Sequence, residues 1–282
     1  MTMSPLSKIT LDGRDFLVKR DDKIDKYLSG NKYRKLYTLL NTPKNRYKTI
    51  ISYGGMQSNA MLAIAAICKV KGWEFLYYTK PLSKKLHSEI EDNLFHSLSL
   101  GMKHTEIEFE LYRSFVASLS LSNDEYTLVV DQGGAHRSAK EGLEVLADEI
   151  RAQNLEVKSV ATPSGTGTTA LYLALALPEY KVYTTPCVGD VTYLREQMSA
   201  LAEIPSNLII LEPQKKYHFA KLYDEFYEIY EKLKSAGIEF DLLYAPAMWM
   251  ALMSQTEESV LYIHSGGVTG NVSMCERYKR RR

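Results

Sequence analysis

The sequence has few cysteines. Its 282 residues include only Cys68, Cys187 and Cys275, which lie far apart and form no CxxC pair. An odd number of widely spaced thiols argues against a disulfide framework and offers no zinc-binding spacing. We therefore expect neither a disulfide-stabilised domain nor a metal site.

Long hydrophobic runs are also missing. The longest apolar stretch, residues 60–68, is far shorter than the roughly 20 residues that cross a bilayer. The first residues, Met-Thr-Met-Ser-Pro, lack the charged-then-apolar layout of a signal peptide. We expect no membrane partner, and a cytoplasmic location is the default expectation.

The chain carries no excess of charge of either sign. Its formal net charge is +1, and its one basic run is residues 279–282. Such a balance gives no field that would attract nucleic acid, and the terminal run is typical of a solvated tail. Hydrophobic residues make up 45% of the chain, enough to build the core of one large domain or two modest ones.

What the sequence does contain is an alternation of strand and helix patterns. Short β-branched or aromatic runs end in glycine-bearing turns, and stretches with helical spacing of apolar residues follow. The predicted strands are 49–53, 73–78, 126–130, 157–161, 181–185, 208–211 and 259–263. The predicted helices include 57–71, 88–100, 139–153 and 217–236. This order predicts an α/β fold with twisted, mostly parallel sheets flanked by helices.

Four glycine-bearing turns follow predicted strands, at 54–55, 133–134, 164–169 and 266–267. Open α/β sheets bind ligands outside the carboxyl ends of their strands. If these strands share sheets, the four turns converge on one crevice.

The turn Ser164-Gly165-Thr166-Gly167-Thr168-Thr169 has the composition of an anion site. Glycines let the backbone approach a ligand, and the N–H groups of a helix start favour a phosphate. The turn matches neither a Walker loop nor a dinucleotide fingerprint, so a monophosphate fits better. The alternative is a tight strand-to-helix turn capped by its own hydroxyls.

A basic cluster formed by Lys32, Arg34 and Lys35 lies at the predicted start of a helix running through Leu40. By composition alone it is typical of a solvated face. A lysine held beside other cations can also have a lowered pKa and act as an amine nucleophile.

Two motifs resemble the ACC deaminase and D-cysteine desulfhydrase family, where ACC is 1-aminocyclopropane-1-carboxylate. Residues 18–22 and 30–36, V-K-R-D-D and G-N-K-Y-R-K-L, are similar to that family's lysine segment. Residues 53–59, Y-G-G-M-Q-S-N, are similar to its G-G-x-Q-S-N motif. The turn at 164–169 and His264-Ser265-Gly266-Gly267, similar to H-T-G-G, follow in the family's order. The resemblance implies the tryptophan synthase β-subunit fold, or PLP fold type II, with pyridoxal 5′-phosphate (PLP) as cofactor.

The resemblance also implies roles for individual residues. Lys32 would hold the cofactor covalently and act as the catalytic base. Asn59 would border the cofactor ring, and Ser58, with Gln57 beside it, would receive the substrate carboxylate and assist proton transfer. The phosphate would bind Ser164, Gly165, Thr166, Gly167 and Thr168. Ser265 would meet the pyridine nitrogen.

The function that the resemblance implies is a PLP-dependent deaminase or lyase acting on a small amino acid and releasing ammonia and a 2-oxo acid. A β-replacement enzyme of the cysteine synthase type, a PLP-binding protein with little turnover and a binder of another phosphate ligand stay open. We expect a larger domain from residues 1–36 and 142–282 and a smaller one from 37–141. A homodimer is implied by the resemblance alone.

One family motif has no evident match. The family carries D-P-x-Y-x-G-K before its H-T-G-G, with a tyrosine tied to ring opening. The best counterpart is residues 245–251, which place Met248 where the tyrosine should be. A thioether cannot exchange a proton as a phenol does, so ACC ring opening is in question. Residues 248–250 are more typical of a hydrophobic core, and for His136 and His264, beside glycine turns, we expect structural roles.

Overall fold

The computed structural model describes residues 3–28, 30–81, 91–119, 124–134 and 137–281. Within these ranges the strands form two sheets. The ten strands are β1 (Leu6–Leu11), β2 (Arg14–Lys19), β3 (Thr49–Tyr53), β4 (Glu74–Thr79), β5 (Lys103–Glu106), β6 (Thr127–Val130), β7 (Ser159–Ala161), β8 (Lys181–Thr184), β9 (Leu208–Ile210) and β10 (Leu261–Ile263).

The larger sheet has the strand order β1-β2-β10-β7-β8-β9. All neighbours are parallel except β1 and β2, which form an antiparallel hairpin across Asp12-Gly13. The smaller sheet, β5-β4-β3-β6, is parallel throughout. The prediction of mostly parallel α/β sheets is therefore confirmed.

Eleven α-helices connect and cover these strands in the described part of the chain. They are α1 (Gly30–Lys35), α2 (Tyr37–Asn41), α3 (Asn59–Lys71), α4 (Asn93–Ser99), α5 (Phe109–Leu119), α6 (Ala139–Ala152), α7 (Thr168–Ala176), α8 (Val191–Ser199), α9 (Asp224–Ser235), α10 (Ala245–Gln255) and α11 (Asn271–Arg281). No helix in these ranges has the length and apolar character needed to cross a membrane.

Two predicted helices were wrong in extent. The helix predicted from residue 32 through Leu40 is two short helices, because Leu36 leaves the helical region with φ −96° and ψ 14°. The helix predicted over 217–236 begins only at Asp224, since Ala220 has φ +59° and Tyr223 is extended. The predicted stop is confirmed, because the helix ends at Ser235, just before Gly237 with φ +100°.

The two sheets have separate hydrophobic cores. Helix α3 packs its apolar side chains over the smaller sheet, around Ile50, Ile64 and Phe75. Against the larger sheet, Trp249 of α10 stacks on Tyr262 of β10 at 4.4 Å between ring centroids. The strands of the smaller sheet span residues 49–130, inside the predicted smaller domain, but the domain boundaries at 36/37 and 141/142 stay predictions.

Candidate active site

Strand adjacency places three motifs at one edge of the larger sheet. Strands β2, β10 and β7 are parallel neighbours, with Lys19 opposite Ile263 and Tyr262 opposite Ala161. Neighbouring strands lie about 5 Å apart, so the segments that follow them start side by side. The segment leading to Lys32, the 264–267 turn and the 164–169 turn therefore share this edge.

The start of α1 is fixed against the 264–267 turn. Gly30 has φ +59°, and a Cβ on it would overlap the carbonyl of Ser265. The next residue, Asn31, donates its N–H to that same carbonyl over 3.1 Å. Only glycine permits this approach, which explains why it precedes Asn31-Lys32.

Lys32 points its amine at the smaller sheet. Its side chain is partly buried, and Nζ donates to the carbonyl of Gly133 over 3.3 Å. Burial lowers the pKa of Lys32 to about 8. A neutral amine is therefore far more available here than at a solvated lysine, as a nucleophile requires.

The basic cluster beside Lys32 is not a solvated face, so that interpretation was wrong. Arg34 is 1% exposed and binds Asp21 and Glu149 with two hydrogen bonds each, all between 2.7 and 2.9 Å. Lys19, fully buried, adds an ion pair to Glu149 at 2.9 Å. This network ties α1 to the Asp21–Lys23 turn and to α6, and so fixes the helix that carries Lys32.

Lys35 was not among the predicted site residues, yet it carries the clearest sign of an anion site. It is 6% exposed and, within the described ranges, has no acidic partner. Burial, together with the neighbouring Lys32, holds the pKa of its amine well below the ordinary value. A buried cation without a counter-ion is costly, and a bound phosphate would supply that counter-ion.

The 164–169 turn is anchored by hydrogen bonds, but one of its hydroxyl groups has no partner among the described residues. Ser164 is anchored through its backbone to Thr185 at 3.1 Å, and its hydroxyl pairs with Thr184 at 2.6 Å. Gly167 has φ +75° and packs against Met198, so a side chain there would collide. The hydroxyl of Thr169 is buried and has no hydrogen-bond partner among the described residues. The open backbone of the turn and this orphaned hydroxyl fit an anion at the start of α7.

The 53–59 segment lies at the carboxyl end of β3. Ser58 caps α3 by accepting the N–H of Met61 at 3.2 Å, and Tyr77 donates to the carbonyl of Gly55 at 3.1 Å. The side-chain nitrogen of Gln57 already donates to Asp92, while its side-chain oxygen is buried and unpartnered. Ser58 and Gln57 thus have structural bonds in addition to the roles predicted for them.

Asn59 links this segment to the 264–267 turn. Its side-chain oxygen accepts a hydrogen bond from Asn93 at 2.8 Å. Its Nδ2 lies so close to Gly267 that a Cβ there would sit 2.5 Å away. Gly54 packs against Gln132 in the same way, which joins the 54–55 and 133–134 turns. The structure therefore brings the 54–55, 133–134 and 266–267 turns together near Lys32, and the 164–169 turn follows a strand at the same edge of the larger sheet.

The assignment of Met248 to the family tyrosine position was wrong. Met248 is fully buried in the core of the larger sheet, as expected of a core segment. Asp241 and Tyr244 stand at the spacing of D-P-x-Y instead, and the Asp241 carboxylate accepts the N–H of Tyr244 at 2.6 Å. The Tyr244 ring lies beside the 164–169 turn, since a Cβ on Gly165 would be 3.4 Å from its Cε1 atom.

Burial and the nearby Asp241 carboxyl raise the pKa of Tyr244 above its ordinary value. Its phenol is therefore protonated at neutral pH and can donate a proton. The two neighbours that replace the family's glycine and lysine are Pro246 and Ala247, so the match is limited to Asp241 and Tyr244.

Three other predicted positions, His264, Ser265 and His136, lie in or next to glycine turns. His264 is buried, stacks on Phe240 and bonds the carbonyl of Glu239 at 2.8 Å, which is a structural role. Ser265 is partly buried at the turn that contacts α1. His136 lies outside the described residues. No group of acids, histidines and cysteines within the described ranges could hold a metal ion.

Nearly the whole chain is similar to one group of proteins. A Thermotoga maritima protein named "Putative 1-aminocyclopropane-1-carboxylate deaminase" is 26% identical over 94% of this chain and 92% of its own length. The Arabidopsis thaliana "Bifunctional D-cysteine desulfhydrase/1-aminocyclopropane-1-carboxylate deaminase, mitochondrial" is 24% identical over 92% of this chain and 74% of its own. No protein-family model matches the chain.

Solved structures agree in fold. The crystal structure of an ACC deaminase homologue has a TM-score of 0.79 at 21% identity and covers 99% of this chain and 94% of its own. A PLP-dependent aspartate racemase has a TM-score of 0.66 at 12% identity, over 94% of this chain and 90% of its own. The PLP fold type II architecture and the family resemblance are confirmed. So is the expectation of an enzyme, since the relatives are named as enzymes.

Proposed function

We propose that this chain is a PLP-dependent lyase or deaminase that acts on a small amino acid, of the D-cysteine desulfhydrase or ACC deaminase type, and releases ammonia and a 2-oxo acid. The observation that carries the proposal is the amine of Lys32. It is bonded to Gly133, on a helix whose start is fixed against the 264–267 turn, and burial lowers its pKa to about 8. The relatives' names supply the reaction class.

The residues around Lys32 fit the cofactor. The buried amine of Lys35 would pair with the phosphate, and the backbone of the 164–169 turn with Thr169 would hold its oxygens. Asn59 and Ser265 would face the ring. When bound, PLP supplies an electron sink that makes the α-carbon of an attached amino acid acidic.

The chain's own groups would then handle protons and orientation. Lys32 would take the α-proton, because its amine is bonded to Gly133 at the turns and burial makes its neutral, basic form more available. Ser58, at the start of α3, would orient the substrate carboxylate toward the helix N-terminus. Tyr244, protonated beside Gly165, would donate a proton to the departing or opening group. With Tyr244 in place, the objection to ACC ring opening that rested on Met248 is removed.

An absorbance spectrum tests the cofactor assignment. Purified protein mixed with PLP should develop the visible band of a lysine-bound cofactor, and Lys32→Ala should abolish it. Lys23→Ala, which removes an exposed lysine from the same segment, should keep the band. A band that survives in Lys32→Ala would show that another lysine binds the cofactor. If the wild-type protein does not bind PLP, the interpretation as a binder of another phosphate ligand would be favoured.

A product assay tests the reaction. D- and L-amino acids, including D-cysteine and ACC, should be screened for release of a 2-oxo acid and ammonia. Adding a thiol acceptor separates the second candidate, a β-replacement enzyme, because that enzyme would form a new amino acid instead of a 2-oxo acid. Ser58→Ala should lower turnover more than cofactor content, whereas equal losses would make Ser58 purely the cap of α3. Formation of a substrate complex without product would indicate a binding protein with little turnover.

A further inference from the structure

A buried hydrogen-bond chain runs from the C-terminal segment to Asn59. Thr269 donates its hydroxyl to the side-chain oxygen of Asn93 over 2.6 Å. Asn93 donates from Nδ2 to the backbone carbonyl of Gln57 at 2.9 Å and to the side-chain oxygen of Asn59 at 2.8 Å. Asn93 is completely buried, which shields its own amide group from water, while its three partners are partly buried.

The backbone carbonyl of Gln57 determines which atom is donor and which is acceptor in each of these hydrogen bonds. The oxygen and nitrogen of an asparagine amide are interchangeable in shape, and normally only partners can distinguish them. The carbonyl of Gln57 can only accept, so the atom of Asn93 that faces it must be Nδ2. The second hydrogen of that nitrogen then requires an acceptor, which is Oδ1 of Asn59.

Asn59 is thereby left with its NH2 group directed away from Asn93. Among the described residues no acceptor bonds this nitrogen, and Gly267, with φ +81°, leaves room beside it. A side chain at 267 would collide with Nδ2 and close that space. The protein thus presents a free donor pair at the turn where the cofactor ring is proposed to lie.

We infer that Asn93 and Thr269 are positioning residues that hold the amide of Asn59 in one orientation, so that its NH2 group, and not its oxygen, faces an acceptor on the bound cofactor. This inference rests on the proposed function for the identity of the cofactor. The orientation itself follows from the hydrogen bonds within the protein.

The sharpest test is Asn93→Asp, which has nearly the same shape but no donor. The new carboxylate would accept from Nδ2 of Asn59 and turn the amide over, which would present oxygen to the cofactor. PLP affinity should fall at least tenfold, the value of one lost hydrogen bond. The ratio of the visible to the near-ultraviolet band of the bound cofactor should also change, because that ratio reports hydrogen bonding to the ring.

Milder variants keep the test valid if Asn93→Asp folds poorly. Thr269→Val removes only the far bond and should weaken affinity by a few fold, whereas Thr269→Ser should restore the wild-type spectrum. Asn41→Ala, at an exposed asparagine bonded only to its own helix, is the matched control and should change neither affinity nor spectrum. In an Asn59→Ala background, Asn93→Ala should cause no further change in the band ratio.

The outcomes separate this inference from the proposed function. If the wild type forms no lysine-bound cofactor, both are overturned. If the wild type binds PLP but Asn93→Asp and Thr269→Val keep its affinity and band ratio, only the positioning role is overturned. The same holds if the cofactor-free variants melt earlier while their band ratio is unchanged, because Asn93 would then serve folding alone.

Discussion

The lowered pKa of Lys32 makes the pH dependence of cofactor capture a direct test of the site. An ordinary lysine amine has a pKa near 10.5, whereas burial brings that of Lys32 to about 8. Only the neutral amine attacks an aldehyde. The experiment therefore varies the pH between 7 and 9 and uses cofactor-free protein.

The size of the effect follows from these two pKa values. At pH 7 about 9% of an amine with a pKa of 8 is neutral, against about 0.03% for a pKa of 10.5, a roughly 300-fold difference. At pH 9 the fractions are about 91% and about 3%, a roughly 30-fold difference. The advantage of Lys32 over free lysine should therefore shrink about tenfold between pH 7 and pH 9.

The assay measures the rate of appearance of the visible band when limiting PLP meets excess protein. The same measurement on a lysine derivative with a blocked α-amine provides the reference, and dividing the two rates cancels the ionisation of PLP itself. At limiting cofactor the rate constant reports the pKa of the free protein. Lys32→Ala should show no capture and sets the background.

A ratio of rates that stays constant from pH 7 to pH 9 would refute the reasoning, because Lys32 would then titrate like a solvated lysine. A protein rate already at its plateau at pH 7 would refute it in the other direction, with a pKa well below 8. In the first case burial would not control the reactivity of the amine, and in the second case the effect on its pKa would be larger than burial alone gives.

Three further predictions concern the groups around Lys32. Lys35→Met should stabilise the cofactor-free protein by about 1–3 kcal/mol in urea unfolding, because an apolar side chain replaces a buried amine that has no acidic partner among the described residues. It should also weaken PLP binding at least tenfold, and unchanged affinity would place the phosphate elsewhere. Tyr244→Phe should keep the visible band but lower kcat about 10²-fold or more if the phenol transfers a proton; a wild-type kcat would exclude it from the chemistry. Arg34→Met should cost about 3–5 kcal/mol in the same unfolding assay, since Asp21 and Glu149 lose a buried partner. The exposed Arg46→Met should cost about 1 kcal/mol or less, and equal losses would deny Arg34 a special role.

Much of the fold could be predicted from local pattern. Strand β3 has the predicted residues, and helix α3 ends at the predicted residue but begins two residues later, at Asn59, because Ser58 caps it. The first hairpin was missed, although Asp12-Gly13, with φ values of +47° and +80°, is a recognisable two-residue turn. The helix predicted over 217–236 was too long, because a period of apolar residues cannot show where the backbone breaks.

Part of the site could be predicted in the same way. Lys32, Asn59 and the 164–169 turn could be assigned to the candidate site because short motifs keep their spacing in the chain. Lys35 stood one turn from Lys32 in the same motif, but composition gave it the character of a solvated lysine. Met248 was aligned with the family tyrosine, with Tyr244 only as a nearby substitute that lacked geometric support, since an alignment by proline rather than by aspartate shifts the motif by four residues.

The sequence by itself determined the alternation of elements, the glycines at the turns and the motif that contains Lys32, because each depends on neighbours along the chain. Only the tertiary structure decided which charges are buried. Arg34 forms ion pairs with Asp21 and Glu149, which come from other segments, whereas Lys35 has no acidic partner within the described ranges. The desolvation of a charged side chain and the direction of the Asn93–Asn59 hydrogen bond both depend on the residues that pack around these groups in space. Those residues lie up to 176 positions apart in the chain.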